Sequence, residues 1–105
     1  MSEIIREKNN KVLIKPRHNL VASIANSFRS ELHSLIQDSP EELIIDLAGV
    51  EIVDSVGIGI IIATHNSLNK INGKLKLVNV SKSTYDLFVT MRLNRHFTIE
   101  SIQNN

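Results

Sequence analysis

Apolar and polar residues follow two periods along this chain. The first 15 residues carry a period of two: Val12 and Ile14 alternate with Lys11, Leu13 and Lys15, which predicts a half-buried strand. Residues 4–7 predict a partner strand before it, joined through the turn Lys8-Asn9-Asn10, and Pro16 ends the second strand. From Leu20 to Ile36 the period lengthens. Leu20, Ile24, Ala25, Phe28, Leu32, Leu35 and Ile36 fall on one face of a helix, and Asp38-Ser39-Pro40 breaks it. Residues 43–47 are nearly all apolar, the pattern of a central strand covered on both faces. A second helix is expected over 56–71, with Ile58, Ile61, Ile62, His65 and Leu68 along one side and Asn72-Gly73 as its stop. A strand over 74–80 follows, with Leu75, Leu77 and Asn79 opposed to Lys74, Lys76 and Val78. Ser81 is placed as a helix cap. A third helix over 82–93 carries Tyr85, Phe88, Val89 and Leu93, and a short strand over 97–100 precedes a polar, frayed tail at 103–105.

The resulting order, β-β-α-β-α-β-α-β, predicts an α/β domain with a mixed, mainly parallel sheet. An antiparallel hairpin opens it, and about three helices pack against it. The 105 residues suit one domain, 1–105, without repeat, linker or low-complexity segment. In such sheets functional residues gather where strands end and helices begin.

Composition narrows the function classes. The longest strongly apolar run, 58–63, is far short of the roughly 20 residues of a membrane span. No signal-peptide pattern opens the chain and there is no cysteine, which together point to a cytoplasmic protein without membrane insertion or a disulfide framework. A net charge of +1, with acids and bases interspersed, gives no footprint for nucleic acid. His18, His33, His65 and His96 are too dispersed for a metal site. No phosphate-binding loop of the G-x-x-x-x-G-K-[ST] type is present, so no cofactor is expected. The basic residues Lys8, Lys11, Lys15 and Arg17 read as a solvated region.

The chemistry concentrates in one stretch. The apolar strand at 43–47 leads through a short loop to Asp54-Ser55, followed by Gly57 and Gly59 at the start of an apolar helix. A serine there caps the helix, or it carries a phosphate, because backbone N–H groups and the helix dipole at that end favour negative charge. Asp54 is a loop or capping carboxylate, or it orients the Ser55 hydroxyl. Nothing beside it forms a nucleophile–base pair, so no enzymatic role is expected. Gly57 and Gly59 serve tight packing or leave a bare surface for a partner's backbone, and Gly49 serves the turn out of the strand. Ser81, Ser83 and Thr84 read as cap residues of the third helix, with a second phosphorylation site as the competing reading.

These residues carry a resemblance. Ile45-Asp46-Leu47-Ala48-Gly49-Val50, then Asp54-Ser55-Val56-Gly57-Ile58-Gly59, resemble the central signature of the STAS domain family, named for sulphate transporters and anti-sigma factor antagonists. Leu77-Val78-Asn79-Val80-Ser81, Leu87-Phe88, Leu93 and Phe97-Thr98-Ile99 extend the likeness over almost the whole chain, which looks most like the free-standing antagonists. The resemblance implies that Ser55 is the phosphorylation site. It implies as partners a serine kinase or anti-sigma factor of the histidine-kinase-like ATPase fold, and a serine phosphatase that restores the unmodified form. On the same basis the unmodified chain binds its partner and phosphorylation blocks binding. Asp54, Ser55, Val56, Gly57, Ile58, Gly59, Leu20 and Val21 are then the expected partner-binding residues. Two positions depart from the pattern: Val56 replaces a frequent second serine, and Val21 stands where many antagonists have an acid. The alternative role is that of a constitutive STAS assembly subunit of a larger complex such as a transporter.

Overall fold

The computed structural model describes residues 2–102. The element order is β1 (Glu3–Glu7), β2 (Lys11–Lys15), a 3-10 turn (Ala22–Ile24), α1 (Ala25–Gln37), β3 (Glu42–Asp46), α2 (Ser55–Lys70), β4 (Lys74–Val80), α3 (Lys82–Thr90), a second 3-10 turn (Leu93–Arg95) and β5 (Thr98–Ser101). The five strands lie in chain order across one sheet. The β1–β2 pair is antiparallel and the other three pairs are parallel. The hairpin turn uses left-handed backbone at Asn9 and Asn10, a conformation asparagine tolerates better than most residues. The α/β class, the opening hairpin and the mainly parallel sheet are thus as the periodicity predicts. The polar tail 103–105 lies outside the described residues.

Sequential strand order has a consequence that the apolar run at 43–47 does not reveal. Successive right-handed crossovers between neighbouring strands all return over the same face. The three helices therefore share one side of the sheet. Val12, Ile14, Leu43, Ile45, Leu75 and Leu77 point into that side and are buried with Phe28, Leu32, Ile61, Leu68 and Phe88. Leu13, Ile44 and Val78 point to the other side and are only half-buried. β3 is thus central but covered on one face, not two.

Other boundaries move for identifiable reasons. The first helix does not begin at Leu20, because that residue's backbone is engaged elsewhere: its N–H donates to Ile52 O (2.9 Å) and its carbonyl accepts from Asp54 N (3.1 Å). The helix proper starts at Ala25, and Ala25, Phe28, Leu32 and Leu35 form its buried stripe. In α2 the buried stripe is Gly57, Ile60, Ile61, Thr64 and Leu68, while Ile58, Ile62 and His65 lie on its half-buried flank. The helix is rotated from the expected orientation because Gly57, which has no side chain, sits against the chain at Leu20. Asn79 does not alternate into the core. It takes a left-handed conformation at an irregularity in the β4–β5 pairing, and Val80 fills the buried place. α3 stops at Thr90, and Leu93 reaches the core from the 3-10 turn after left-handed Arg92, at a spacing that imitates a continuing helix. Among the described residues no helix is long and apolar enough to cross a membrane.

Candidate functional site

β2 and β3 are parallel neighbours, so the segments leaving their C-terminal ends emerge at the same edge of the sheet. The first runs from Pro16 to the 3-10 turn and the second from Leu47 to α2. They are stitched together. Leu20 and Val53 form a parallel bridge outside the named strands. The Asn19 side-chain oxygen accepts from Glu51 N (2.9 Å) and Ile52 N (3.0 Å), fixing two N–H groups that would otherwise face water. At the base of the loop, buried Asp46 accepts from Ala48 N (2.9 Å) and from Asn79 Nδ2 (2.9 Å), while Lys15 lies 3.9 Å away. Asp46 therefore holds the loop's origin. Gly49 turns the loop with a φ of +80°, a conformation that costs glycine little.

The cap of α2 is Asp54, not Ser55. Its extended backbone precedes the helix, and one carboxylate oxygen accepts from Gly57 N (2.9 Å), three residues on. The other oxygen accepts from Ala22 N (3.1 Å), so a single carboxylate ties the helix start to the neighbouring segment. The bond from the Gly57 N–H is the main reason the Asp54 carboxyl titrates below its ordinary value. Desolvation opposes that shift, and the Ala22 and Val56 N–H groups add to it. Ser55 is consequently displaced to the first helical position. It is exposed there, and its hydroxyl makes no hydrogen bond among the described residues.

This arrangement has a pH signature. A carboxyl whose folded pKa is depressed stabilises the fold above its unfolded pKa, and that contribution is lost as pH falls through the folded value. The stability advantage of wild type over Asp54→Asn should be full at neutral pH and shrink as the pH drops below 3.8. Urea titrations at a series of pH values read this directly. An advantage that stayed constant down to about pH 2.5 would mean that the charge of Asp54 is not what holds the junction.

The expected partner-binding residues separate into two groups. Asp54, Ser55, Val56, Val21 and Gly59 reach the surface, with Val56 36% exposed, and Ile58 is half-buried against the core. Leu20 and Gly57 do not reach it. Leu20 is 1% exposed, and an added Cβ on Gly57 would stand 2.3 Å from the Leu20 carbonyl oxygen. These two support the surface from beneath. The two glycines of the motif thus have opposite surroundings, because an added Cβ on Gly59 would meet nothing within 4 Å.

Two residues escape a reading of the sequence. One is Asn19 in its role as the clamp of the loop: the sequence places residues 19–23 beside the Asp54-Ser55 loop, but gives no more than a short polar residue in an aperiodic stretch as a sign of the clamp. The other is Ile52, 54% exposed in the loop that leads to Ser55, because the Leu20–Val53 bridge turns Val53 inward and Ile52 outward. At α3, Ser81 occupies the cap position, but its hydroxyl bonds the Thr84 hydroxyl (3.0 Å) rather than the helix backbone. Thr84 is buried and Ser83 is exposed.

The model of the STAS domain family matches residues 3–104. No curated protein matches the chain. Among solved structures, an anti-sigma factor antagonist from Mycobacterium paratuberculosis is similar with a TM-score of 0.83 and 23% identity, over 95% of this chain and 84% of that one. An anti-sigma-factor antagonist (STAS) domain protein from Planctomyces limnophilus is similar with a TM-score of 0.80 and 16% identity, over 97% and 91% of the two chains. The Bacillus cell fate determinant SpoIIAA in its phosphorylated form is similar with a TM-score of 0.75 and 18% identity, over 94% and 90%.

Proposed function

The chain belongs to the STAS domain family, and from that premise we propose that it is a phosphorylation-controlled partner switch of the anti-sigma factor antagonist type. The unmodified form binds a serine kinase or anti-sigma factor of the histidine-kinase-like ATPase fold in the cytoplasm. Phosphorylation of Ser55 blocks binding, and a serine phosphatase restores it. The protein is the substrate and binding module of this cycle, not an enzyme.

One observation carries the proposal: Ser55 is exposed and free of structural duty, because Asp54 does the capping beside it. A kinase can reach the hydroxyl without unravelling the helix. A phosphoryl group would add about −1.5 to −2 charges at the positive end of α2, which the fold tolerates. The segments that meet at the start of α2 expose Ile52 and Val56, with Val21 half-buried, Gly59 bare and the Asp54 carboxylate already at the surface. A partner fitted closely to such a surface has no place for that charge.

The test is transfer of labelled phosphate from ATP by the cognate kinase. Wild type should be labelled, and Ser55→Ala should lose at least about nine-tenths of the label. Undiminished labelling of Ser55→Ala would move the site elsewhere, first to exposed Ser83. A Ser55→Ala protein that retained every wild-type behaviour in its cells would favour the constitutive assembly role instead.

A further inference from the structure

A cleft of about 600 Å³ opens at the opposite end of the sheet, where β4 and β5 begin. His65 lies ten residues beyond Ser55 along α2, about 15 Å by the helix rise, so this cleft is separate from the loop described above. Its lining includes His65, Lys74, Tyr85, Arg95, His96 and Phe97. The rings form a tilted wall. The His65 and Phe97 centroids are 5.3 Å apart at 47°, and those of His65 and His96 are 6.1 Å apart at 50°.

The charge of this cleft is one-sided. Elsewhere on the described surface some cations pair with carboxylates, among them Arg6 with Asp38, Lys11 with Glu42, Lys76 with Glu100 and Lys82 with Asp86, while Lys8, Arg29, Lys70 and Arg92 stand without one, as Lys74 and Arg95 do. No Asp or Glu lines the cleft, and neither Lys74 nor Arg95 has a carboxylate within ion-pair distance among the described residues. The cleft is open to solvent, and it brings aromatic rings and exposed cationic groups to one concave surface. A planar guanidinium pairs with two oxygens of a phosphate or carboxylate, and a ring lies against tilted aromatic faces.

We infer that the cleft beside His65, Arg95 and His96 binds a small organic anion, a phosphate or carboxylate joined to a flat ring. The inference does not depend on the role proposed for Ser55. Phenyl phosphate and benzoate are the probes, titrated into the full chain and followed by ¹H–¹⁵N correlation spectra. At least one should give saturable shifts at the amides of Asn69, Arg95, His96 and Phe97, with a dissociation constant on the order of 1 mM or tighter. Whichever probe is stronger identifies the anionic group. Inorganic phosphate and benzyl alcohol, each carrying one half of the chemistry, should bind at least about tenfold more weakly. Arg95→Glu should weaken the stronger probe by about tenfold or more, and His96→Gln gives a second arm that keeps the backbone turn. Lys8→Glu, on the remote hairpin, should leave it unchanged. Shifts that never saturate with either probe would overturn the assignment. So would equal losses in Arg95→Glu and Lys8→Glu, or inorganic phosphate binding as tightly as phenyl phosphate.

Discussion

Gly57→Ala is expected to lower the stability of the domain by about 3 kcal/mol, near the upper end of the usual overpacking cost. The matched change two residues on, Gly59→Ala, is expected to raise it by roughly 0.5–1 kcal/mol, the helix-propensity difference between the two residues. The contrast is steric. A Cβ on Gly57 would sit 2.3 Å from the Leu20 carbonyl oxygen and 3.0 Å from Val53 Cγ1. The carbonyl cannot move aside cheaply. It accepts from Asp54 N, the N–H of the same residue donates to Ile52 O, and the Leu20 side chain is buried. Moving α2 outward instead would stretch the bond from Gly57 N to the Asp54 carboxylate. Gly59 has no such neighbour, so alanine there only reduces the freedom of the unfolded chain. For a domain of this size 3 kcal/mol corresponds to roughly 10–20 °C in melting temperature. Equal melting temperatures for the two variants would refute the close approach of α2 to Leu20.

Ser55→Asp is expected to weaken partner binding by at least about 100-fold while the melting temperature stays within a few degrees of wild type. The two halves have different physical origins. In the free protein the new carboxylate is exposed at the first position of α2, where negative charge is neutral to slightly favourable and surface changes rarely exceed about 0.5 kcal/mol. In the complex the same carboxylate would be desolvated among Ile52, Val56 and Val21 without a partner, which costs several kcal/mol. Differential scanning calorimetry and a binding titration on the same preparations separate the two. A large fall in melting temperature with unchanged affinity would reverse the roles assigned to fold and surface.

How far these features were legible depends on the range over which each is encoded. Element order follows from local periods, and the Asp54-Ser55-Val56-Gly57-Ile58-Gly59 stretch stands out because two glycines at a helix start are otherwise costly. The division of labour inside it was not legible. Asp and Ser are about equally good caps, and the bond between Asp54 and Ala22, 32 positions earlier, is invisible to any local window. Leu20 fits the helical period of 20–36, yet its backbone pairs with residues 52 and 54. The run at 43–47 reads as buried on both faces because the side the crossovers take depends on sheet order, which no single strand encodes. The two glycines look alike in sequence, and only the path of the chain at Leu20 tells them apart.

The central claim is that one phosphoryl group on Ser55 separates two binding states of a fold that stays intact. It is tested most directly by titrating the same captured partner with unmodified protein and with protein phosphorylated stoichiometrically at Ser55. The unmodified form should bind and the phosphorylated form should bind at least about 100-fold more weakly, a difference of about 2.7 kcal/mol. Treatment with a serine phosphatase should restore the lost affinity. Equal affinities for the two forms would contradict the switch.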